Sequence, residues 1–146
     1  MNTTHAIGMS HTDQTAHEAT EQAQRRDAFR APAPVVRPLM ATLTLADRSR
    51  HQAQLLDISV LGVSLLIDPL KTTLAIGMVV PRFELDLPTC GPIECSLDVR
   101  HVMPGQAQHP PGSQRAGAAF LHLAPAAAMK VTRYVHAAER AHVRAG

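Results

Sequence analysis

The sequence predicts an all-β domain, a barrel or a sandwich of antiparallel strands, with one helix after the last strand. Three observations carry that prediction. Short runs rich in Leu, Val and Ile, partly alternating apolar with polar, recur between residues 39 and 123. Proline or glycine stands between the runs, where turns need them. Beyond Pro125 the apolar spacing changes from that of a strand to that of a helix.

The elements follow in order. Pro32, Pro34 and Pro38 bar a helix interior, and residues 39–45 then read as a first strand. Asp47-Arg48-Ser49-Arg50 makes a turn into a second strand over 52–58, and Gly62 breaks that strand from a third over 63–67. Asp68-Pro69-Leu70 leads away, and further strands are expected over 78–87 and 95–103. Residues 104–114 form a polar, proline-rich hairpin loop suited to the surface, and 115–123 return as the last strand, with Gly117 inside it. In the helix, Met129, Thr132, Arg133, Val135, His136 and Glu139 surround Tyr134, which is expected to be a packing anchor. Residues 1–24 lack a sustained apolar stripe, so they are expected to be a flexible N-terminal tail ahead of one domain spanning 25–142. His5, His11 and His17 recur there at spacings that share no helix face, which leaves them as solvated side chains.

Composition narrows what the domain can do. Hydrophobic residues make up 45% and charged residues 18%, which is globular composition and argues against disorder of the whole chain. One Tyr, three Phe and no Trp mean an aliphatic core, and base stacking on an aromatic platform is not expected. A net charge of +2 is too small to coat duplex DNA or a membrane surface, so any anion must be caught locally. With no secretory leader pattern and no apolar run near the ~20 residues of a membrane helix, a soluble, cytoplasmic protein is expected. Cys90 and Cys95 are too few for a disulfide framework and lack the second pair that a zinc site would need. One is expected to pack as a small apolar residue and the other to sit in a turn.

Two clusters carry chemistry. Arg25-Arg26-Asp27-Ala28-Phe29-Arg30 gathers three arginines just ahead of the first strand. The planar guanidinium gives paired, charge-assisted hydrogen bonds to phosphate and can also stack on a purine. By itself such a run is more often a solvated basic surface. The second cluster is Asp57-Ile58-Ser59-Val60-Leu61-Gly62, where the strand period puts Asp57 and Ser59 on one face and Ile58 on the other. A carboxylate can accept from the N1–H and N2–H donors of guanine, a hydroxyl can assist, and Gly62 permits a turn or a close backbone approach. Alone, Asp57 and Ser59 are equally the wet face of a half-buried strand. No HExxH, GxSxG or P-loop pattern is present, and no motif assigns Ser59 a histidine base, so catalysis has no positive support.

Together the clusters resemble the PilZ domain family, whose signature is RxxxR in the segment leading into the barrel, followed later in the chain by (D/N)xSxxG. Arg26 and Arg30 fill the first motif, Arg25 adds the preceding arginine, and Asp57, Ser59 and Gly62 fill the second. Val99-Arg100-His101-Val102, Gly117-Ala118-Ala119-Phe120 and the C-terminal helix agree with the same pattern. The resemblance implies a small antiparallel split β-barrel with a C-terminal helix. It also implies a cyclic di-GMP receptor in which the arginines bind phosphates and guanines, and Asp57 and Ser59 hold a guanine. Gly62 would shape the loop. The expected role is a non-enzymatic effector or adaptor without cofactor or metal, which regulates a protein partner in motility, biofilm or exopolysaccharide control. DNA binding and membrane insertion are not expected. The competing expectation is a PilZ-like interaction adaptor that binds no nucleotide; an RNA-binding barrel is disfavoured by the small charge and the missing aromatic platform. The similarity extends to the C-terminal half of flagellar brake proteins.

Overall fold

The computed structural model describes residues 29–33 and 38–145. The expected tail and residues Arg25 and Arg26 lie outside the described residues. Among the described residues seven strands precede one helix: β1 (Ala31–Pro32), β2 (Met40–Thr44), β3 (Arg50–Ile58), β4 (Gly62–Ile67), β5 (Val79–Leu87), β6 (Gly91–Pro104), β7 (Gln114–Leu121) and α1 (Pro125–Ala145). All pairings are antiparallel, and β3-β2-β5-β6-β7-β4 closes on itself because β4 also pairs with β3. The result is the expected all-β barrel with a C-terminal helix, and closure leaves none of its six strands as a full-length free edge.

Alternation fills the barrel. Ala41 and Leu43, Ala53 and Leu55, Val63, Leu65 and Ile67, and Ile93, Cys95, Leu97 and Val99 point inward with Phe83, and all are buried. Among the described residues the fully buried core is aliphatic apart from Phe83, with Phe29 and Phe120 packed at its margin. Helix α1 starts at Pro125, where a missing N–H costs nothing, and buries Ala127, Val131 and Val135 along one stripe against the barrel. Tyr134 is partly buried against the same core, as the sequence predicted, and Lys130 Nζ donates to the Pro92 carbonyl at 2.8 Å. Near the helix C-terminus, the His142 ring lies 5.9 Å from the ring of Phe29.

Cys95 faces the core and Cys90 sits half-buried in the β5–β6 turn, as their surroundings in sequence implied. Burial, with a smaller contribution from Glu94, pushes the Cys95 thiol up to about 11.

Two departures from the sequence-based expectation matter. Strand β6 begins at Gly91, not near Cys95; Pro92 is tolerated because β7 reaches back only to Ser96, leaving this stretch paired to β5 alone. The short β1 was not expected at all. It continues the edge of β3 where β2 stops: Met40 is opposite Gln54, while Ala31 is opposite Ile58 and Pro32 opposite Asp57. The Ala33 N–H donates to the Leu56 carbonyl at 3.0 Å, and Ala31 is fully buried.

Candidate functional site

The position of Asp57 depends on an irregularity in β3. Ala53 and Leu55 point inward, so strict alternation would carry Asp57 into the core as well. A register shift between Leu55 and Asp57 inserts one residue, so Ile58 takes the inward place and Asp57 turns outward. The sequence carries the signal for this in the doublet Leu55-Leu56, which breaks the alternation.

Arg30 then lies across the motif. Its Nε donates to Asp57 Oδ1 at 2.5 Å and its Nη1 to Ser59 Oγ at 3.3 Å, although the partners are 27 and 29 residues away in the chain. Ser59 is fully buried, so it is not the wet surface residue that a bare strand pattern allowed. Its hydroxyl also accepts from the Leu61 N–H at 3.1 Å, and its own N–H donates to the Gly62 carbonyl at 2.9 Å, which fixes the β3–β4 turn. The structure therefore brings Arg30, Asp57 and Ser59 together.

Gly62 has a different physical reason. A Cβ at this position would stand 2.1 Å from the Ala118 carbonyl oxygen, a contact with backbone that cannot yield. The close approach it permits in this structure is between β4 and β7.

The surroundings extend the site beyond the residues that the sequence motifs name. One hollow of about 360 Å³ is lined by Arg30, Gly62, Ser64, Arg100, His101 and Gly117, among others. A second, of about 380 Å³, is lined by Asp57, Ser64, His101, His109, Arg115 and Gly117, among others. A larger hollow of about 580 Å³ follows the 104–114 loop but contains none of the motif residues, so the chemistry favours the first two. Arg100 is oriented by Asp98, with Nε to Oδ2 at 2.6 Å. In the sequence, Arg100 and His101 belong to neither RxxxR nor DxSxxG and stand only in a segment that agrees with the family pattern. Among the described residues no group of three or more His, Cys, Asp or Glu could hold a metal ion.

These features define a class: a small closed antiparallel barrel with a helix after it and an arginine-bearing segment laid along one strand edge onto an acidic and a hydroxyl side chain. The chain belongs to the PilZ family, described as "PilZ domain", which matches over residues 24–137. PilZ domains are ligand-binding effector domains.

Among solved structures the chain is similar to the PilZ domain of YcgR from Escherichia coli with c-di-GMP, at TM-score 0.66 and 23% identity, over 81% of this chain and 94% of that one. It is similar to the K. pneumonia MrkH–c-di-GMP complex, at TM-score 0.69 and 15% identity, over 82% of this chain and 55% of that one. It is also similar to the Bacillus subtilis inhibitor of motility, MotI/DgrA, at TM-score 0.65 and 15% identity, over 80% of this chain and 52% of that one. The chain thus spans about half the length of those two longer proteins. At such identities the likeness shows the fold. No curated protein sequence matches the chain.

Proposed function

We propose that this chain is a cyclic di-GMP effector, which binds the dinucleotide through Arg25, Arg26, Arg30, Asp57 and Ser59 and thereby regulates a protein partner. The observation that carries the proposal is the convergence of Arg30 on Asp57 and Ser59, which joins two separate sequence motifs into one site. Family membership and the c-di-GMP named with the YcgR and MrkH structures support the choice of ligand.

The geometry lends itself to an exchange of partners. Arg30 now occupies the carboxylate that a guanine edge would use. The pair is partly open to solvent, with side chains 38% and 30% exposed, so breaking it costs at most about 1 kcal/mol. A charge-assisted hydrogen bond to phosphate contributes roughly 1.5–3 kcal/mol, which more than offsets that loss. Arg30 moves to a phosphate, Asp57 accepts from guanine N1–H and N2–H, and the Ser59 hydroxyl, released by Arg30, assists at that guanine while it still accepts from the Leu61 N–H and holds the turn. Because Arg30 adjoins β1, the rearrangement reaches the edge of β3 and shifts the population of conformations available to a partner. The chain acts in the cytoplasm, by binding and not by catalysis, in motility, biofilm or exopolysaccharide control. Gly62 serves the site by holding the turn against β7.

Calorimetric titration with cyclic di-GMP, GMP and a short RNA tests the proposal, with hydrogen exchange as a second readout. Saturable binding of cyclic di-GMP alone is expected, with a stoichiometry that separates one ligand from an intercalated pair. Exchange should slow over residues 24–32 and less over 57–62. A folded protein that ignores cyclic di-GMP would instead be the nucleotide-independent adaptor.

A further inference from the structure

We propose that the ligand site runs across the barrel from Asp57 to His101, and that the His101 imidazole is the stacking face for the guanine that Asp57 does not hold. The inference rests on the cyclic di-GMP function above and adds a residue that no motif names.

The strand registers place four residues in one row. Asp57 on β3 is opposite Ser64 on β4, Ser64 is opposite Gly117 on β7, and Gly117 is opposite His101 on β6. The middle of the row is a hydroxymethyl group and a bare Cα, so the surface between Asp57 and His101 is a trough. Neighbouring strands lie ~4.8 Å apart, so three steps separate the ends by roughly 14 Å, longer than a single base. The two hollows described above meet on this row, since both are lined by Ser64, His101 and Gly117. One opens toward Arg30 and Arg100, which supplies cations for phosphate; the other opens toward Asp57.

Both ends of the row are made in the same way. In β6, Ile93, Cys95, Leu97 and Val99 point inward, and strict alternation would bury His101 next. A register shift between Val99 and His101 turns both Arg100 and His101 out to solvent. The shift in β3 does the same for Asp57. Each polar end is therefore the residue that a regular strand would have hidden, and bulges of this kind re-aim side chains beside binding sites. The His101 ring stands beside the space that Gly117 leaves: a Cβ there would lie 3.5 Å from His101 Cδ2. Histidine is absent from the usual count of aromatic residues, yet its ring stacks on bases as the larger aromatics do.

The test is calorimetry with cyclic di-GMP on the full chain and its His101→Ala and His101→Phe variants, each checked by circular dichroism. His101 is exposed, so both variants should fold. His101→Ala should bind about tenfold more weakly or worse, the usual loss of one base–aromatic stack, while His101→Phe should stay within about threefold of wild type. Equal binding by wild type and His101→Ala would overturn the proposal, and so would a Phe variant as weak as the Ala variant. If wild type binds and Asp57→Ala weakens it but His101→Ala does not, the cyclic di-GMP function stands and His101 alone is removed from it. A wild-type chain that binds no cyclic di-GMP removes both.

Discussion

Two arginine–carboxylate clusters on the barrel surface show how the same pairing serves different ends. On β5 and β6, Glu84 and Glu94 are directly opposite one another, and Arg82 Nη2 bridges them at 3.3 and 3.2 Å, with Arg50 Nη2 3.6 Å from Glu84. Every member belongs to a strand of the closed ring, and none lines the hollows around the motif. At the motif, Arg30 comes from outside that ring, one residue before the two-residue β1, and meets one carboxylate and one buried hydroxyl beside a hollow. The first cluster neutralises two like charges that the register forces together. The second holds an arginine against acceptors that a ligand can also use. What separates the structural ion pairs from the proposed recognition site is the origin of the arginine and the space beside it.

That contrast breaks first at Gly62, which belongs to the recognition motif but is required by packing. Gly62→Val should destabilise the barrel by about 3 kcal/mol or more, the upper range of overpacking, because the new side chain meets the Ala118 carbonyl. Denaturant unfolding measures it, and a stable variant that merely fails to bind would reassign Gly62 to ligand contact. Next in size, Arg26→Ala and Arg30→Ala should each weaken cyclic di-GMP binding by roughly 1.5–3 kcal/mol with the fold retained. Asp57→Ala should also lower the preference for cyclic di-GMP over cyclic di-AMP, since only guanine presents the paired donors. An unchanged preference ratio would show that Asp57 does not read the base. The smallest effect belongs to Arg82→Ala: a stability loss of about 1 kcal/mol or less, because exposed pairs contribute little, and unaltered ligand binding. A clear binding defect in that variant would erase the distinction between the clusters.

Much of this was legible in the sequence, and the misses have physical causes. The regular strands announce themselves through alternation, and Pro125 marks the helix start because proline fits only there. The motif residues Arg30, Asp57 and Ser59 are short-range patterns that the barrel brings together. His101 escaped because its outward position comes from a bulge, and a bulge is a property of the pairing between two strands. Leu55-Leu56 hints at the bulge in β3; Val99-Arg100-His101-Val102 gives a weaker hint in β6, since two polar residues stand where alternation allows one. Strand β1 escaped because two residues carry no periodicity, and its existence depends on the unpaired end of β3.

Strand β1 has a cost attached to its place. Pairing of β2 with β3 reaches only to Gln54, so residues 56–58 have β1 as their partner on that side. If β1 leaves, that stretch of β3 becomes an open edge of unpaired amides and carbonyls, next to the buried side chains of Leu55 and Ile58. Open edges recruit strands from other molecules. The segment that carries the arginine thus also covers that edge, and a chain clipped at residue 33 is expected to lose solubility together with the proposed ligand binding.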